Sequence, residues 1–185
     1  VTADGAAVAL TTTINTSFGA GISVPGTGII LNNEMDDFAV APGVPNVYGL
    51  LGSAANAVHP GKRPQSSMSP TIVVAGDRPA LVVGGSGGPL IISGTTEVLM
   101  NAVALGMSVR DAVAAPRIHD QGVPPAIVVE PGIPPAVREA LGRYGHPIKE
   151  FRALGAVSAV AMTADGGFEA AGDPRKDGGQ AIVPR

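Results

Sequence analysis

Apolar and polar residues alternate along several short stretches of this chain, and that alternation sets its expected elements. Between residues 6 and 15, Val8, Leu10 and Ile14 point one way while Thr11, Thr13 and Asn15 point the other. A period of two predicts a half-buried strand. Residues 29–31 are a short apolar strand that runs into the polar cluster Asn32-Asn33-Glu34-Met35-Asp36-Asp37. Residues 71–75 and 80–84 read as a hairpin around Gly76-Asp77. The Gly-rich turn Gly84-Gly85-Ser86-Gly87-Gly88 then leads into one helix over about 91–114, stopped by Pro116. Further on, 126–130 is an expected strand and 134–144 an expected helix, with Pro in its first turn and Gly145 beyond its end. Strands over 157–163 and 168–171 close the chain around Ala164-Asp165-Gly166-Gly167. Hairpins dominate, and helices arrive in blocks. That favours an α+β arrangement, a largely antiparallel sheet with helices on a face, in a single domain spanning 1–185. Residues 39–64, with Pro42, Pro45, Pro60 and Pro64, form a loop of a length usually reserved for function. The tetrapeptide Thr-Ala-Asp-Gly at 2–5 recurs at 163–166 and reads as two turns of the same chemistry.

Composition narrows the function classes. The 185 residues carry 12 Lys+Arg against 15 Asp+Glu, a net charge of −3 that argues against a phosphate-tracking basic surface. Aromatics are 3% with no Trp, which argues against a stacking platform for single-stranded nucleic acid. The chain has no Cys, so disulfides, thiolate metal sites and a Cys nucleophile are excluded. No apolar run approaches the roughly 20 residues of a membrane-spanning helix. The chain opens at Val1-Thr2 without Met, which suggests a processed or truncated product whose targeting segment would lie upstream.

Candidate chemistry gathers near glycines. Thr13 and Asn15, two apart on the expected strand, share a face, as either a solvated surface or a hydroxyl–amide pair able to orient a nucleophile. Glu34, Asp36 and Asp37 lack calcium-loop spacing. They suit a ligand ammonium better than a metal, with an exposed acidic turn as the plain alternative. Adjacent Ser66 and Ser67, in Lys62-Arg63-Pro64-Gln65-Ser66-Ser67-Met68-Ser69-Pro70, can donate to a carboxylate. They are not a G-x-S-x-G nucleophile motif. The 84–88 turn lacks the Lys-Ser/Thr of a P-loop, yet its backbone N–H groups can stabilise an oxyanion, if it is not simply a tight turn. His59, His119 and His146 match no metal spacing.

Together these segments are more specific than any one alone. Thr13-x-Asn15-x-x-Phe18-Gly19, Pro25 to Phe38, Pro42-Gly43-x-Pro45-Asn46, Gly61 to Pro70 and Ala171-Gly172-Asp173-Pro174-Arg175 resemble the small subunit of gamma-glutamyltranspeptidase, in order and spacing. The resemblance covers essentially the whole chain. It implies the four-layer αββα sandwich of the N-terminal-nucleophile hydrolases, a large-subunit partner from the same autoprocessed precursor, and a periplasmic or secreted location. The implied activity is hydrolysis and transfer of γ-glutamyl groups from glutathione and related amides to water, an amino acid or a peptide. The implied nucleophile is a Thr that begins the small subunit and uses its own amino group as base. Its place falls a few residues upstream of Val1, so this chain as given lacks it.

By position, the resemblance makes Thr13 the partner of the nucleophile's hydroxyl. Asn15, Glu34 and Asp37 then hold the α-amino and α-carboxylate ends of the substrate, and Ser66 and Ser67 the α-carboxylate. Gly87 and Gly88 become the oxyanion hole, and 39–64 a lid gated by Tyr48. The family's Gly-Ser-Pro-Gly-Gly stands here as Gly84-Gly85-Ser86-Gly87-Gly88, a departure that keeps the final Gly pair. No metal or organic cofactor is implied. A glutaryl-type or cephalosporin acylase on the same scaffold, and a non-catalytic binding subunit, are the competing readings.

Overall fold

A computed structural model describes residues 1–2, 4–41 and 43–177. Ala3 of the first Thr-Ala-Asp-Gly turn and Pro42 of the long loop lie outside the described residues, as do 178–185. Where the sequence pattern marks no boundary, the chain groups into two compact units: Val1–Thr11 with Ser67–Arg185, and Thr12–Ser66.

The larger unit carries the regular structure. Its strands are β1 (Thr71–Ala75), β2 (Arg78–Ser86), β3 (Ile118–His119), β4 (Ile127–Val129), β5 (Ile148–Glu150), β6 (Ala156–Met162) and β7 (Phe168–Ala171). Its α-helices are α1 (Leu90–Leu99), α2 (Val109–Ala114) and α3 (Pro135–Arg143). The main sheet has the order β1-β2-β6-β7 and is antiparallel throughout. Both expected hairpins form where the turn chemistry placed them. In the second, the Asp165 carboxylate accepts from Gly167 N–H at 3.2 Å and from the Thr163 hydroxyl. A smaller sheet, β3-β4-β5, has one antiparallel and one parallel pairing. Strands as short as β3 and β5 carry too little alternation to be read from sequence.

Alternation along β2 and β6 turns Leu81, Val83, Val157 and Ala159 to one side, where they meet Val98 of α1 and Val109, Ala112 and Val113 of α2. These side chains are small, so helix and sheet approach closely. A Cβ on Gly94 of α1 would lie 3.1 Å from Val157 Cγ2. Ile127, Val129 and Ile133, with Leu141 of α3, make a second, smaller cluster.

Three expectations change. The helix over 91–114 breaks in two: α1 loosens into a π turn over Met100–Ala104, Gly106 takes a left-handed φ of 67°, and Ser108 caps α2 by accepting from Asp111 N–H at 3.1 Å. The strand over 6–15 does not form. The Thr13 hydroxyl takes the Asn15 N–H at 2.7 Å, and Asn15 itself is left-handed, which ends an extended run. Residues 29–31 likewise contribute only an isolated bridge, Ser23 to Ile30.

Val98 has no exposed surface and sits at the centre of the larger core. Val98→Ala is expected to lower the unfolding free energy by about 2 kcal/mol, two lost methyl groups plus a cavity. Denaturant unfolding of the assembled protein measures it.

Candidate active site

The unit Thr12–Ser66 has neither α-helix nor extended strand among its described residues, and of these only Phe38 and Ala39 are buried. Asparagine side chains do the work of secondary structure. Asn33 Oδ1 accepts from the Thr16 N–H and hydroxyl, both at 3.1 Å, and Asn32 Oδ1 accepts from Glu34 N–H at 3.0 Å. The latter fixes the start of the 3₁₀ turn Glu34–Asp37. Asn46 Oδ1 accepts from the N–H groups of Tyr48 and Leu50, both at 3.0 Å. Asn56 Nδ2 donates to Asp37 O at 2.7 Å. Short polar side chains that bond locally to backbone make turns where no ladder is available.

This wiring brings together five of the expected residues: Thr13, Asn15, Glu34, Asp37 and Tyr48. Asn15 has a φ of 71°, the single left-handed non-glycine among the described residues. It is held there from three sides. Its N–H donates to Thr13 Oγ1, its Nδ2 donates to Asn33 O at 3.2 Å, and its Oδ1 accepts from the Tyr48 hydroxyl at 2.8 Å. Strain of this kind persists only where surroundings over-determine it. Tyr48 belongs to the 39–64 loop, so that loop is pinned to Asn15 in this conformation. Residue 13 is therefore presented by a hydroxyl turn, a different geometry from the expected strand face.

Glu34 and Asp37 are within hydrogen-bonding reach of each other, and Thr13 lies near enough to Glu34 to affect its ionisation. Burial raises the Glu34 pKa, the shared hydrogen bond and the Asp37 charge raise it further, and only Thr13 opposes. The Asp37 pKa is raised by burial, against the hydrogen bond it receives from Glu34. Both carboxyls therefore titrate above their ordinary values, as for like charges sharing a site. Burial also raises the Tyr48 phenol, with the charges of Asp37 and Glu34 adding to it. One oxygen of Glu34, Oε1, is buried with no partner. A partly dry acid pair with an open acceptor fits a cation that brings its own N–H donors.

Ser66 ends this unit and Ser67 resumes the larger one, in a stretch without helix or strand. Gly87 and Gly88 also belong to the larger unit, immediately before α1. Both have positive φ, 134° and 59°, and their carbonyls accept the first helical bonds from Leu90 and Ile91 N–H. Among the described residues, their own N–H groups donate to no protein acceptor. Two free donors at the amino end of a helix whose Pro89 cap has no side-chain bond favour an anion. Sequence reasoning missed Asn33, Asn46 and Asn56, whose signal was only the local density of asparagine. It also missed Arg117 and Glu130, which carried none.

The acid pair lies in one unit and the turn with free N–H groups in the other. A sequence profile of the family Gamma-glutamyltranspeptidase matches residues 1–183. The Glutathione hydrolase proenzyme of Escherichia coli K12 is 46% identical over 172 residues, which are 93% of this chain and 30% of that relative. Among solved structures, the Helicobacter pylori gamma-glutamyltranspeptidase T380A mutant is similar with a TM-score of 0.91 and 43% identity, over 95% of this chain and 97% of that one. The Pseudomonas nitroreducens enzyme complexed with L-DON gives a TM-score of 0.93 at 39% identity, over 100% and 97% of the two chains. The chain belongs to the gamma-glutamyltranspeptidase family. It spans about 30% of the curated proenzyme yet nearly all of the matched structural chains, so it corresponds to the small subunit, with the N-terminal-nucleophile hydrolase fold.

The interaction of the two acids gives a direct check. Removing the Asp37 charge in Asp37→Asn is expected to lower the Glu34 titration midpoint toward the ordinary carboxylate range, read by carboxyl NMR across an acid titration. An unmoved midpoint would mean that the two groups do not interact.

Proposed function

We propose that this chain, paired with the large subunit of its own precursor, hydrolyses and transfers γ-glutamyl groups from glutathione and other γ-glutamyl amides. The observation that carries the reading is the Glu34–Asp37 acid pair beside Thr13, which matches the α-ammonium of a glutamyl group. On binding, that cation makes charge-assisted contacts with both carboxylates. Asn15 offers its amide beside the pair, while the Ser66 and Ser67 hydroxyls donate to the α-carboxylate. The 39–64 loop acts as the lid, its Tyr48 hydroxyl latched on Asn15.

The reaction is written as acyl transfer through the Thr expected upstream of Val1. The Thr hydroxyl adds to the γ-carbonyl and its proton passes to its own amino group. The carbonyl oxygen, now negative, is met by the Gly87 and Gly88 N–H groups. The C–N bond breaks as the amino group returns the proton to the leaving amine, giving a γ-glutamyl ester on Thr. Water or an acceptor amine then attacks the ester and restores the hydroxyl. Thr13 hydrogen-bonds the attacking hydroxyl.

The processed heterodimer tests this reading with two chromogenic anilides. The γ-glutamyl anilide is expected to turn over at least tenfold more efficiently in kcat/KM than the glutaryl anilide, which lacks the α-ammonium. The reverse order would favour a glutaryl-type acylase and leave the acid pair without a ligand. A second expectation concerns pH. The free pair has raised pKa values, so at low pH it holds protons that the ammonium must displace. KM for the γ-glutamyl anilide should therefore rise as pH falls through the titration of the pair, while KM for the glutaryl anilide shows no such rise.

A further inference from the structure

Two arginines and two acids are buried together in the larger unit. Arg117 Nη2 donates to Asp173 Oδ2 at 2.7 Å, with both side chains 2% exposed. Arg175 forks onto Glu130 through Nε and Nη2, each at 2.6 Å, and reaches Asp173 Oδ1 at 3.2 Å. The four charges sum to zero. Burial opposes ionisation of both acids, but the hydrogen bonds they accept outweigh it and hold both carboxyls below their ordinary values.

Three bonds from the cluster end on the backbone of one short segment, residues 154–157. Leu154 N–H donates to Glu130 Oε1 at 2.8 Å, Arg117 Nη1 donates to Leu154 O at 3.2 Å, and Val157 N–H donates to Asp173 Oδ2 at 2.6 Å. Between these anchors lies Gly155, left-handed at φ 69°. It stands backbone to backbone against the 86–88 turn. A Cβ on Gly87 would come within 2.9 Å of Gly155 Cα, and one on Gly155 within 3.1 Å of Ser86 O and 3.3 Å of Leu90 Cβ. No flexible side chain lies between them to absorb a displacement. From the same strand end as Asp173, Lys176 Nζ also reaches Ser86 Oγ at 3.2 Å.

We propose that Arg117, Glu130, Asp173 and Arg175 are positioning residues for the Gly87–Gly88 turn, acting through residues 154–157; the assignment rests on the reading of that turn as the oxyanion hole. Buried ion pairs are a poor source of stability compared with apolar packing. Their directional bonds fix geometry instead, and here that geometry is the wall on which the turn rests. Donors aimed at a developing charge act only when held within a fraction of an ångström.

The test uses the processed heterodimer as wild type, Asp173→Asn and Gly155→Ala, with three readouts: kcat for the γ-glutamyl anilide, inhibition by free glutamate, and thermal unfolding. Asp173→Asn weakens the anchor, whereas Gly155→Ala leaves the cluster whole and presses on Ser86. Both variants are expected to lose ten- to hundredfold in kcat, with the glutamate inhibition constant within twofold of wild type. Unchanged kcat in both folded variants overturns the positioning role while wild-type turnover upholds the activity. A parallel loss of kcat and glutamate affinity, or loss of the folded heterodimer in both variants, makes the cluster purely structural and also overturns it. An inactive wild type that binds no glutamate overturns the γ-glutamyl reading itself, and the oxyanion assignment with it.

Discussion

Four charges packed against one another set the geometry of the larger unit. Arg117 alone joins the end of α2, through Val113 O at 3.0 Å, to Leu154 O and to Asp173 after the last strand. Arg175 returns to the same helix end, with Val113 O at 3.0 Å and Ala115 O at 2.6 Å. The carbonyls left without partners at the end of α2 are thus satisfied by guanidinium groups, which also suit the negative end of a helix dipole. A chain whose core is mostly Val and Ala has modest apolar area per contact. Directional bonds among a few long side chains compensate by fixing how the layers meet.

The unit Thr12–Ser66 solves the opposite problem. With two buried apolar side chains it has almost no core, and its conformation is held by single hydrogen bonds from Asn, Thr and Tyr side chains to backbone. Such wiring costs little to rearrange locally. The strained φ of Asn15 and the raised pKa values of Glu34 and Asp37 are two forms of the same condition: polar groups crowded together by the fold.

Much of the candidate chemistry was legible because it is local in sequence. The Asn32–Asp37 cluster, the adjacent serines and the paired glycines are each runs of neighbours, and the resemblance ties them into one family pattern. The hairpins at 76–77 and 164–167 were legible for the same reason, since Asp-Gly turn chemistry acts over four residues. The ion cluster was not legible. Arg117 and Asp173 are 56 residues apart, Arg175 and Glu130 45 apart, and nothing in the composition near any of them announces a partner.

The sequence by itself determined which segments pair as hairpins, which residues can meet an ammonium or a carboxylate, and the family to which they belong. Tertiary structure decided the rest. It ended the alternating stretch at 6–15 in a hydroxyl turn at 13–15, where the Asn15 N–H bonds to Thr13 and Asn15 is left-handed. It split one expected helix at Gly106, and it assembled four distant charges behind the Gly87–Gly88 turn. Periodicity records which face of an element is apolar, but burial and long-range pairing depend on what the fold brings opposite, and only the folded chain specifies that.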